Sequence, residues 1–269
     1  MRPVRLADYC CQGGDGVFDQ DHFTDADLII SKEGTRELIF SPLGNTPRAP
    51  KLALVGITPG AQSKKFSDLM EINSVELAAK KATFAGAQKT IKALLNAHGF
   101  LRALNIGCSE DLNDSDDIFT TSLVKCCLKV DGSYKYAAPD IAASRVASYC
   151  VLNRFIGDIE RLSTLTHVVI FGEPGWQAIN LLRKEDQSIK RHLESRGLTV
   201  LNLPHFAQNY QQRAIYQLDP TGDEIYFRAK PSHGAYAAKA AEMRRRMLDE
   251  LRRLNGLKGS ATDRLFHNI

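Results

Sequence analysis

Leu52-Ala53-Leu54-Val55-Gly56-Ile57-Thr58-Pro59-Gly60 is the stretch on which the fold turns. Its first six residues form an unbroken apolar run. Such a run predicts a strand buried on both faces, as parallel strands covered by helices are. The run stops on a tight turn. Gly56 lets the backbone approach a ligand, Pro59 fixes φ, and Gly60 accepts a left-handed conformation. An ordinary strand-to-helix turn would use the same pentapeptide.

Working outward, three further strands are predicted at Ile118 to Val124, His167 to Gly172 and Leu198 to Leu203. Helical spacing of Ile91, Leu94 and Leu95 fills the first gap, with Gly99 as a helix stop. Asp140 to about Leu162 reads as one helix entered after Pro139, and Gly175 to Arg183 as another. A charged helix from about Tyr236 to Leu254 closes the chain. Strands alternating with helices predict an α/β fold, a three-layer α/β/α sandwich around a central four-stranded parallel sheet. One domain over 1–269 is expected, with 1–50 an irregular extension and 206–232 an insertion before the last helix. Ligands in such sheets bind outside the carboxyl ends of the strands. The positions to examine are thus Ile57 to Gly60, Ser122 to Lys125, Gly172 to Pro174, and Pro204 onward.

Composition sets the outer bounds. A chain of 269 residues with 43% hydrophobic and 25% charged content can bury a full core and is not a disordered chain. No apolar run approaches the ~20 residues of a membrane span. The first residues lack the apolar core of a signal peptide, so a cytoplasmic protein is expected. A net charge of +4 allows a phosphate-binding surface without demanding one. Basic clusters stand at Lys64-Lys65, Lys80-Lys81 and Arg244-Arg245-Arg246, the last read as a solvated helix face.

Several pieces then fall in a telling order. Gly56 to Gly60 resembles the first motif of the uracil-DNA glycosylase superfamily, which reads Gly-Ile-Asn-Pro-Gly or Gly-Glu-Ala-Pro-Gly in some branches. Phe84-Ala85-Gly86 looks like the Phe-x-Gly helix start of its iron–sulfur branch. Thr121-Ser122-Leu123-Val124-Lys125-Cys126 is similar to that branch's Thr-Asn-Val-Val-Lys-Cys. Ala147 to Cys150 with Phe155-Ile156 resembles its next cysteine and helix. Leu203-Pro204-His205 stands where the histidine-bearing motif begins. The resemblance covers roughly residues 50 to 210.

The resemblance implies a DNA partner and the excision of uracil or a related damaged base from a flipped nucleotide. His205 would donate to the departing base and, with Thr58, form the catalytic pair. Gly56, Ile57, Phe84 and Ser122 would bind the base, Phe84 by stacking. Pro59, Gly60, Lys125, Phe206 and Asn209 would contact DNA. Lys230 to Gly234, with His233, is a second candidate for the histidine segment, but His205 follows its strand directly. Thr58 stands where strongly water-activating branches carry aspartate or asparagine, and a hydroxyl is a poor general base at pH 7. Asp68 and Glu71 are candidate substitutes. Ser122 stands where an asparagine reads the base, and serine cannot span a donor and an acceptor together.

Six cysteines, at positions 10, 11, 108, 126, 127 and 150, are too few for a disulfide scaffold. The resemblance implies a 4Fe-4S cluster drawing on Cys11, Cys126 and Cys150. Zinc ligands and small buried hydrophobes are the other readings. Two functional alternatives stand beside excision. One is a nucleic-acid-binding protein of the same fold with little or no catalysis, and the other an unrelated α/β hydrolase of nucleosides or nucleotides.

Overall fold

The computed structural model describes residues 3–9, 17–19, 22–107, 109–134, 137–207, 216 and 234–256. Its centre is a four-stranded, all-parallel sheet of β5 (Leu52–Gly56), β6 (Ile118–Ser122), β8 (His167–Phe171) and β11 (Thr199–Leu203), in the order β11-β8-β5-β6. Successive side chains of a strand point to opposite faces. Ala53, Val55, Val168, Ile170 and Val200 accordingly face one apolar cluster. Leu52, Leu54, Val169, Phe171 and Leu201 face the other.

Helices cover both faces. On the first lie α2 (Gln62–Met70), α3 (Val75–Ala82), α6 (Ala138–Ala143), α7 (Arg145–Tyr149), α8 (Ile156–Arg161), α9 (Glu173–Leu181) and α10 (Ile189–Ser195). On the second lie α4 (Gln88–Asn96), α5 (Phe100–Ala103) and α11 (Gly234–Leu254). The chain is therefore a three-layer α/β/α sandwich. Among the described residues, no helix is long and apolar enough to cross a membrane.

Two expectations need correction. Residues 1–50 are not irregular throughout: they hold β1 (Pro3–Arg5), α1 (Leu6–Tyr9), β2 (Val17–Asp19), β3 (Ile29–Glu33) and β4 (Arg36–Ile39). The β3–β4 hairpin pairs antiparallel with β7 (Cys127–Val130), a strand that follows directly on β6. Its strands are half exposed, so their sequence carries no continuous apolar run. The single helix read over Asp140 to Leu162 is broken as well. Ser144 is extended and caps Ala147 N–H, and the Glu33 carboxylate accepts the N–H groups of Arg145 and Val146. A π-helical turn, Cys150–Phe155, follows before α8. Of the expected insertion at 206–232, the described part beyond Ala207 is Tyr216, fully buried against the second cluster. A short ribbon of β9 (Arg183–Lys184) and β10 (Gln187–Ser188) joins α9 to α10.

β6 lies at the sheet edge, and an open edge invites pairing with other chains. Here Asn45 closes it. Its backbone N–H donates to Thr120 O, its side-chain oxygen accepts Thr120 N–H at 2.7 Å, and its amide donates to Ile118 O and Asn113 O. At the start of β8, an interior strand, His167 sits 2.7 Å from Glu250 of α11, and Arg253 also binds that carboxylate. Burial holds the His167 and His98 imidazoles below their ordinary range.

Replacing Asn45 with Ala orphans a buried N–H and two carbonyls, and is expected to cost about 2–4 kcal/mol. Urea unfolding should show a lower midpoint with an unchanged slope. Because both imidazoles have folded pKa values below the unfolded one, the stability present above about pH 6.5 is lost as pH falls. Melting temperature is expected to drop between pH 7.5 and 5.5; a flat profile would contradict this assignment.

Candidate functional site

In the strand order β11-β8-β5-β6, the chain leaves β5 for β6 on one side and returns to β8 on the other. The switch point, where open α/β sheets place their ligands, lies between the carboxyl ends of β5 and β8. Residues 56–60 and Gly172 stand at those ends.

The loop after β5 is held by its neighbours. Leu123 and Val124 extend the ladder by donating to Gly56 O and Ile57 O. The Thr58 hydroxyl oxygen accepts Leu128 N–H from β7 at 3.0 Å. The Cys127 thiol, pushed up to about 11 by burial, remains protonated and donates to Gly60 O at 3.4 Å. Gly60 adopts φ 58°, the left-handed conformation its sequence position predicted. Thr58 thus anchors the loop to β7 through one lone pair of its hydroxyl, which leaves the O–H for a further partner.

Gly56 is where three elements converge. A Cβ there would stand 3.3 Å from Phe84 Cε1 and 3.3 Å from the Ser122 hydroxyl oxygen. The Ser122 side chain is buried and makes no hydrogen bond to the described residues. Phe84 is buried and has φ 53°, a left-handed conformation that costs a bulky residue roughly 1–3 kcal/mol. Its ring packs edge-on against Phe171 (6.0 Å) and Phe206 (5.1 Å). Gln62, at the start of α2, donates to Ala85 O and ties the loop carrying Phe84 to the loop after β5.

His205 reaches the same aromatic group from the end of β11. Its ring stacks on Phe206 at 4.6 Å. Ala207 N–H donates to Nδ1 at 3.1 Å, so Nδ1 is an acceptor and the neutral ring carries its proton on Nε2. Gly172 makes room for it: a Cβ there would lie 3.0 Å from His205 Cδ2, and φ 83° with ψ 154° is a region reserved for glycine. The structure therefore brings Gly56, Phe84 and Ser122 together, and joins His205 to them through the Phe84–Phe206 contact.

Other expected residues stand elsewhere. Pro59 is buried in the loop, which removes it as a surface contact. Lys125 is largely buried and committed to Asp158 at 2.5 Å, because the chain turns inward after β6. Asn209, Cys11 and His233 lie outside the described residues. Asp68 pairs with Lys64 on the exposed face of α2, and Glu71 is exposed at its end. A carboxylate inside the marked stretch Gly172 to Pro174, but not singled out from the sequence, is Glu173, accepting from Gln177 at 3.0 Å and pairing with Lys239 at 3.4 Å. Its position at a strand's carboxyl end was the available signal. Of the basic run read as a solvated helix face, Arg245 is exposed and pairs with Glu242. Arg244 is buried and Arg246 lies over the Trp176 ring at 5.1 Å, so the reading holds for Arg245 and fails for Arg244.

Cys126 and Cys150 are buried in the first apolar cluster, and Cys150 Sγ accepts Lys125 N–H at 3.4 Å. Among the described residues, no three His, Cys, Asp or Glu side chains converge to hold a metal. The described Cys126 and Cys150 do not form a metal site among themselves and the other described residues, and Cys11, the third thiol expected, lies outside them. No family model matches the chain, and no curated protein matches it in sequence.

Gly172→Ala is expected to displace the His205 ring and to destabilise the fold by about 1–3 kcal/mol. The His205 Cδ2–H and Cε1–H resonances should shift in an NMR spectrum; unshifted signals would mean that Gly172 does not position the ring.

Proposed function

We propose that this protein is a DNA glycosylase that flips uracil or a related damaged base from DNA and hydrolyses its glycosidic bond. The observation that carries the reading is the tautomer of His205. As the bond from the sugar carbon to the base nitrogen breaks, its electron pair leaves with the base and charge collects on the base carbonyl oxygen. A neutral imidazole presenting Nε2–H at a fixed position stabilises that charge, as fixed donors do at other developing anions. Water adds to the sugar carbon and its proton passes to bulk water, from which the departing base anion takes one up, so one water is consumed for each bond broken. The Thr58 hydroxyl accepts from Leu128 and still has its O–H to orient the attacking water, while Glu173, paired with Lys239, is the carboxylate at the neighbouring strand end.

Phe84 offers the stacking face. In the unbound chain the Phe206 ring lies against both Phe84 and His205. The base takes that place when Phe206 swings out, and an apolar ring released there suits the gap left in the base stack. The Ser122 hydroxyl gives the base edge one donor or acceptor at a time, which favours a broad range of bases over strict uracil selection.

A second reading, binding without hydrolysis, draws support from the same Thr58 contact, since the loop then supplies no general base. It predicts salt-sensitive DNA binding without product.

Oligonucleotides bearing uracil, hypoxanthine, xanthine or hydroxymethyluracil, treated with alkali after incubation, are expected to break at the modified base. His205→Ala should lower that rate about 100- to 1000-fold, and Glu173→Gln should lower it less. Intact strands across the whole panel would sink the enzymatic reading, and retained binding would then favour the second.

A further inference from the structure

A second concavity, ≈ 380 Å³ in volume, is walled by Pro42, Gly44, Asn45 and Thr46, the start of α3, Lys125 and Arg154. None of Gly56, Phe84, Ser122 or His205 lines it. Its size is that of a small-molecule pocket.

Arg154 is the feature that needs explaining. It projects from the π-helical turn Cys150–Phe155, a rare conformation that recurs at functional sites. Its Nε is buried and has no hydrogen-bond partner among the described residues. No carboxylate among those residues pairs with it either. The other cations in the cleft are already answered, Lys125 by Asp158 at 2.5 Å and Lys80 by Asp114 at 2.7 Å. A guanidinium N–H left without an acceptor away from water is costly, and a bound acceptor removes that cost.

The surroundings suit an anion beside Arg154. The amino end of α3 lines the cleft and carries the partial positive charge of a helix start. Val75, Ala79 and Pro42 supply apolar wall, and Thr46 adds a hydroxyl. One carboxylate, Glu76, also lines the cleft, and the Tyr9 hydroxyl donates to it at 2.6 Å.

We propose that this cleft binds a small phosphate-bearing molecule, with Arg154 as the principal contact and Lys125 as its cationic neighbour. The planar guanidinium fork matches phosphate oxygens two at a time. Free phosphate and the phosphate group of a mononucleotide present the same chemistry, and the site is independent of the base-excision reading.

Calorimetric titration of the full chain with inorganic phosphate, and separately with a nucleoside monophosphate, tests this at constant ionic strength. Saturable binding of at least one is expected, and tighter binding of the monophosphate would identify the esterified source. Arg154→Ala should weaken it tenfold or more and Arg154→Lys by less, while Arg191→Ala, an exposed arginine of α10, should leave it unchanged. In the unmodified protein the Arg154 Nε–H resonance should move on phosphate addition, a readout that does not depend on any variant folding. Absence of saturable binding to both probes, an unmoved Arg154 resonance, or undiminished affinity in a folded Arg154→Ala variant would each overturn the proposal.

Discussion

β5 is hydrogen-bonded on both sides, to β6 and to β8, and all five of its residues are buried. Such a strand has no free edge and no solvated face. Whatever chemistry it supports must be placed beyond its last residue, and the chain order puts that point at the switch between β5 and β8. The remaining architecture serves this constraint. The helices of both outer layers keep water from the strand, and Asn45 closes the edge that β6 would otherwise present.

A strand end is only useful if the loop beyond it is held. Here the work is shared by β7, an antiparallel strand outside the central sheet. Its Leu128 N–H fixes Thr58, and its Cys127 thiol fixes Gly60. The two contacts lie on either side of buried Pro59, so the loop is tied at both shoulders. Cys127 can serve because burial keeps it a thiol; a thiolate could not donate to the Gly60 carbonyl.

The aromatic group shows where the fold accepts strain. Phe84 is held in a left-handed conformation by ring contacts to Phe171 and Phe206, a geometry that local sequence preference disfavours. Strain of this kind persists only when packing over-determines it, and it gathers at functional sites. Gly172 is the complementary device, giving up a side chain so that His205 can lie against the end of β8. With Phe206 stacked on His205 and packed edge-on against Phe84, one ring links both halves of the site.

The sequence by itself determined the central sheet, because strands buried on both faces must be written as continuous apolar runs. It also marked Gly56, Ser122 and His205 by their places at or after strand ends, which is a matter of chain order, and Phe84 by the resemblance of Phe84-Ala85-Gly86 to a Phe-x-Gly helix start. It did not reveal the β3–β4 hairpin, whose half-exposed strands lack such a run, or the break at Ser144, where the cap comes from Glu33 more than a hundred residues away. Nor could it show that Lys125 is spent on Asp158, or that Thr58 serves Leu128. Periodicity and turn chemistry are local and can be read along the chain. Which partner satisfies a given polar group is a distance in space, and only the tertiary structure decides it.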